Sequence, residues 1–125
     1  MSKTLLLRQI IAEKLNSVQG QTYHRRSPAN SAYPFKVYSL SSVYFPDSYR
    51  DDIEVEIDVW DRSETSRTIE EIADQIEHLF NNKNLPVPPI YPTFFREGRT
   101  MLEDPDKGLQ HLQLRFLVQL YETEE

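Results

Sequence analysis

The chain has 125 residues, no cysteine, 27% charged and 38% hydrophobic residues, and a net charge of −6. That length suits one domain over 1–125 with one core, and the composition is globular rather than disordered. The missing cysteines exclude a disulfide framework, thiolate catalysis, zinc ribbons and iron–sulfur clusters.

Apolar runs such as Leu5-Leu6-Leu7 are too short to span a bilayer. The N-terminus lacks the pattern of a signal peptide, so a soluble protein made in the cytoplasm, with no membrane partner, is the expectation. Charge is unevenly spread. Residues 1–46 carry +5, residues 47–77 carry −9 and residues 78–125 carry −2. The acidic total argues against a groove that neutralises phosphates. Opposite patches on one domain permit head-to-tail self-association, although plain solubility explains them equally well.

Residues 4–19 read as an amphipathic helix, with Leu7, Ile11, Leu15 and Val18 on one stripe and Gly20 just beyond its end. Residues 20–32 carry loop chemistry (Gly20, Ser27, Pro28, Asn30, Ser31), made basic by Arg25 and Arg26. This segment is expected to be loosely held in the monomer and ordered against a neighbour, with Arg25, Arg26 and Tyr33 as a subunit or partner contact. Residues 33–45 read as a strand and Pro46-Asp47-Ser48 as a turn.

Residues 51–60 alternate cleanly. Ile53, Val55, Ile57 and Val59 point one way, while Asp52, Glu54, Glu56, Asp58 and Trp60 point the other. A helix follows, its apolar face carried by Ile69, Ile72, Ala73, Ile76, Leu79 and Phe80, its start marked by Ser63 or Ser66, and its end by the Asn81–Asn84 cluster. Four prolines in 85–92 predict an extended connector. A strand near 93–102, a turn at Asp104–Gly108 and an alternating strand over 109–121 complete the chain. The expected fold is therefore α+β in the order α-β-β-α-β-β. It is a four-stranded, mostly antiparallel sheet with two helices packed on one face. The expected core includes Leu7, Ile11, Leu15, Val55, Ile57, Ile72, Ile76, Leu79, Leu114, Phe116 and Val118.

No pattern points to catalysis. His24, His78 and His111 fall on a loop, a helix and a strand without metal-ligand spacing. Asp52, Glu54, Glu56 and Asp58 share a strand face, where neighbours stand about 7 Å apart and are solvated separately, and no loop wraps them around an ion. There is no G-x-S-x-G elbow and no phosphate-cradling glycine loop. Tyr33, Phe35, Tyr38, Tyr44, Phe45 and Tyr49, near Arg25, Arg26 and Lys36, resemble a base-stacking platform, but the net charge favours a tyrosine-rich protein interface.

Three segments together resemble the small tail-completion, or tail-terminator, proteins of long-tailed bacteriophages. They are Tyr33–Tyr38, Ile53–Ser63 leading into Ile69–Ile76, and Glu103–Phe116. The resemblance implies a structural, non-enzymatic virion protein without cofactor or metal. It implies a ring, usually a hexamer, that caps the tail tube, stops elongation and offers the head-joining surface. Its partners would be further copies of itself, tail-tube protein and a head-completion or neck protein, with DNA passing through the lumen without specific binding. The expected location is the head-proximal end of the tail, and the host cytoplasm during assembly. The alternatives are a head-closure or connector protein, a small metal-dependent hydrolase using Asp52, Glu54, Glu56 or His111, and a host-derived binding module. The acidic face Asp52, Glu54, Glu56 and Asp58 is expected to line, or lie near, the ring lumen, where it repels DNA, or else to be a solvated outer strand face, or to pair Glu54 or Glu56 with Arg115 across the sheet.

Overall fold

The computed structural model describes residues 2–47 and 50–123. Helix α1 spans Lys3–Leu15. It starts where the Ser2 side chain accepts from the Leu5 N–H, and it ends four residues short of the predicted boundary, at Asn16. Its buried stripe is Leu6, Leu7, Ile10, Ile11 and Leu15. Helix α2 spans Arg67–Phe80 and buries Ile69, Ile72, Ala73, Ile76 and Phe80. Both helices pack on the same side of the sheet. Tyr38 Oη lies 3.5 Å from the Arg8 carbonyl, and Phe80 meets Phe94 and Phe116 with ring centroids 4.9 and 5.7 Å apart.

The sheet corrects the expectation of four mostly antiparallel strands. It is mixed and six-stranded, in the order β1-β2-β3-β6-β5-β4. The strands are β1 (Gln21–His24), β2 (Phe35–Asp47), β3 (Arg50–Arg62), β4 (Lys83–Asn84), β5 (Ile90–Leu102) and β6 (Leu109–Glu122). The two extra strands are short edges. β1 pairs parallel with β2, Gln21 opposite Phe35, and β4 pairs antiparallel with β5. Four residues with no apolar alternation, set among Gly, Pro and Asn, carry no strand signal, and neither do two residues inside an Asn-rich helix terminus. The proline segment is also more compact than an extended connector, because Val87 and Ile90 exchange backbone hydrogen bonds around Pro88-Pro89. Strand β2 runs through Pro46 and Asp47, where a turn was predicted; Ser48 lies outside the described residues.

The element order is a repeated α-β-β-β unit, with β3 and β6 as the central antiparallel pair and Glu56 opposite Arg115. Both outer long strands carry a register shift, between Leu40 and Ser42 and between Arg96 and Gly98. The repeat is broken at the edges, where β1 is parallel and β4 antiparallel.

Strand parity divides the sheet. The helix-covered face carries Ile53, Val55, Ile57 and Val59 of β3 and Leu112, Leu114, Phe116 and Val118 of β6, none more than 2% exposed. Three charged residues interrupt it, Asp51, Lys36 and Asp61, the last 5% exposed. Asp51 is 3% exposed and pairs with Lys3 at 2.6 Å, tying the start of α1 to β3. Lys36 is fully buried, and its ammonium donates to the carbonyls of Val18, Gln19 and Gly20 at 2.9, 2.8 and 2.5 Å. Burial lowers its pKa to about 8. Three carbonyl acceptors use all three N–H donors of the charged form. Lys36 therefore holds the end of the α1 segment against β2, directly before β1 begins. Gly20, at φ +94°, is part of the same joint, since a Cβ there would lie 2.6 Å from the Pro34 carbonyl oxygen.

Candidate functional site

The helix-free face is the surface on which the sequence-predicted site residues meet. Asp52, Glu54, Glu56, Asp58 and Trp60 all stand on it, each half-buried. They do not form a uniform ladder of free carboxylates. Asp52 accepts from Arg50 at 3.2–3.3 Å. Asp58 Oδ1 lies 2.6 Å from His111 Nε2 and accepts from Gln113 Nε2 at 3.2 Å. Between these paired ends, Glu54 and Glu56 make no side-chain hydrogen bond or ion pair with a described residue. Arg115 stands opposite Glu56 in register, yet its guanidinium packs over Gly98, where a Cβ would sit 3.2 Å from Nη2. Among the described residues the cross-strand pairing of Glu54 or Glu56 with Arg115, one of the expected alternatives, is not formed.

At the start of β2 the same face becomes aromatic. Trp60 stacks on His111 with centroids 3.7 Å apart and planes inclined by 14°, and Phe35 lies 6.4 Å from Trp60. Tyr33 and Tyr23 flank Phe35 at 5.4 and 6.0 Å. Tyr33, 42% exposed, carries the Arg62 guanidinium over its ring at 5.5 Å. Arg62 also pairs with Asp106 at 2.9 Å. That contact, with the Gly108 N–H, holds the Asp106 carboxyl below its usual range. The side chains of Tyr44, Phe45 and Tyr49, grouped with these aromatics from sequence, lie outside the described residues.

The basic segment sits on the β1 edge. Arg25 has a φ of +72°, and its N–H is held by the Tyr38 carbonyl. Both Arg25 and Arg26 are exposed, and their side chains make no hydrogen bond or ion pair with a described residue. The His24 pKa is lowered, first by burial and then by the positive charges of Arg8 and Arg25.

Sequence reasoning missed His111 and Gln113 as partners of Asp58, Trp60 as the ring stacked on His111, and Lys36 as a buried clamp. The alternation of 109–121 does put His111 and Gln113 on one face, but the register against β3 that brings them to Asp58 needs the fold. His24, His78 and His111 fall on β1, α2 and β6. Among the described residues no group of three or more His, Asp or Glu side chains is placed to hold a metal ion, and no helix is long and apolar enough to cross a membrane. The arrangement sets a face of apolar and acidic side chains beside a basic edge.

No protein-family model matches the chain, and no curated protein matches it. Among solved structures it is similar to a chain of the virion of a native gene transfer agent (GTA) particle. The TM-score is 0.64 at 12% identity, over 90% of this chain and 84% of that one. At that identity the likeness shows a shared fold.

Proposed function

We propose that this chain is a structural protein of a phage or phage-like virion. The observation that carries the reading is the fold shared with a chain of a gene transfer agent virion over 90% of the length. Within that reading it works at the head-proximal end of the tail, as a ring that caps the tail tube, stops its growth and presents the surface for head joining. The role is assembly rather than catalysis. In support, the chemistry of the helix-free face is that of contact: stacked aromatics, satisfied polar pairs and a basic strand edge beside it.

The test is assembly itself. Removing this protein from an otherwise complete assembly reaction should yield tails of unregulated length that do not join heads, and adding it back should restore uniform tails. Electron microscopy of purified tubes with the added protein should show density at one tube end only. Tails of normal length that still fail to join heads would exclude the cap and favour a head-closure protein.

A further inference from the structure

Two features of the surface fit each other and not the rest of their own molecule. The first is the centre of the helix-free face. Among the described residues Glu54 and Glu56 are half-buried without a side-chain partner; Leu117 stands opposite Glu54 with Phe95 beside it, Ser39 and Arg115 stand opposite Glu56, and further along the face lie Val37, Phe35 and Trp60. Carboxylates interleaved with apolar side chains on one face match the composition of a protein contact. The second is the β1 edge. Residues 14–46 contain no Asp or Glu. Of their four basic residues, Lys36 is consumed internally, and Arg25 and Arg26 project from an edge fixed by that clamp.

We propose that the helix-free face is covered by the β1 edge of a second copy of this chain, Arg25 and Arg26 of one copy meeting Glu54 and Glu56 of the next. The inference deepens the ring reading above and rests on it. The contact joins two different patches, so it is heterologous: every copy offers one of each, and repetition closes a ring when the rotation per copy allows. It also supplies what each patch lacks, a counter-charge in a partly desolvated setting, where ion pairs contribute more than on an open surface.

The test uses charge exchange. Arg25→Glu with Arg26→Glu, and separately Glu54→Arg with Glu56→Arg, should each weaken self-association of the purified chain by about tenfold or more in sedimentation, while both variants melt as the parent does. Mixed in equal amounts, the two variants should associate again, because each then offers the charge the other needs at both contacts. Since the chain has no cysteine, a chain carrying both Arg26→Cys and Glu54→Cys should give a ladder of oligomers with a short bismaleimide, whereas either single variant alone should not. Failure of the mixture to regain association, or no ladder from the double cysteine variant, overturns the proposal. If rings still form in every variant, only this surface assignment falls and the ring reading stands. If the arginine variant at 54 and 56 assembles normally but obstructs DNA passage, the face lines the lumen instead. A parent chain that stays monomeric at every concentration, and on tube ends, overturns both readings.

Discussion

Strand β3 presents two surfaces that differ only in parity. On one side Ile53, Val55, Ile57 and Val59 are at most 1% exposed under the helices. On the other, Asp52, Glu54, Glu56, Asp58 and Trp60 are half-buried with no helix above them. One backbone therefore carries the folding information on its odd residues and the surface available to partners on its even ones. A one-residue change of site should separate stability from assembly. The largest effect is expected at Val55→Asp, or equally Ile76→Asp on α2, where an unpaired carboxylate enters an apolar core at a cost of several kcal/mol. Both should be insoluble or unfolded by circular dichroism. A soluble, cooperatively melting Ile76→Asp would mean that the α2 face does not stabilise the sheet.

Lys36 is the sharpest exception to that division, a charge on the helix-covered face. Lys36→Met keeps the volume but leaves one buried and two partly buried carbonyls without this donor, so destabilisation of about 2–3 kcal/mol is expected in denaturant melts. Hydrogen exchange should localise the loss. The amides of β1 should exchange first, since the clamp grips the chain immediately before Gln21. Uniform loss of protection across all six strands would show that Lys36 supports the whole sheet and not its edge.

These two regions also differ in how far they could be read from sequence. The alternation of 51–60 and 109–121 fixes two long strands and their inward residues, because parity is local information. The Ile69–Phe80 stripe fixes α2 for the same reason. Of the eleven expected core residues only Leu79 is not fully buried; it is a partly buried neighbour of the core. The edge strands were not legible. β1 is held by a parallel ladder to residues 14 positions away and by the Lys36 clamp, and β4 by two residues of pairing. Those are tertiary causes with no local pattern. The candidate face was legible as a set, Asp52 to Asp58, but which members are free was not. That depends on register against β6, which brings His111 and Gln113 within reach of Asp58, and on the Gly98 gap that draws Arg115 away from Glu56.

Within the helix-free face, the Asp58 end and the centre should respond differently. Asp58→Ala removes the acceptor of both His111 and Gln113 in a half-buried site, so a loss of about 1–2 kcal/mol is expected. The Trp60–His111 stack should loosen with it, visible as a shift in tryptophan fluorescence. Unchanged stability would mean that the aromatic end is held by stacking alone.

At the β1 edge the response is to pH. The folded-state pKa of His24 lies below the unfolded value near 6.5, through burial and then the charges of Arg8 and Arg25. In the window between the two values the unfolded chain binds a proton that the folded chain does not. This group's contribution therefore favours folding fully above pH 6.5 and falls as the pH drops through that window. Arg25→Ala removes one of the causes, so the His24 titration followed by NMR should move up toward 6.5. An unmoved titration would mean that Arg25 is turned away from His24 and does not contribute to the positive edge.

The smallest effect is expected at the centre of the helix-free face. Among the described residues Glu54 and Glu56 have no side-chain partner to lose, and the two like charges stand on one face of the same strand, so Glu54→Gln with Glu56→Gln removes a mild repulsion and no hydrogen bond or ion pair. The thermal midpoint of the monomer should be unchanged, the free-energy difference lying within about 0.5 kcal/mol. Set beside Asp58→Ala, this double variant asks whether the even residues of β3 form one structural unit or two. A loss above about 1 kcal/mol would show that the central carboxylates help hold the monomer together, as Asp58 does, and would leave the face without the unpaired charges on which a second copy could dock. No loss, combined with weakened self-association, would place the role of Glu54 and Glu56 wholly between copies.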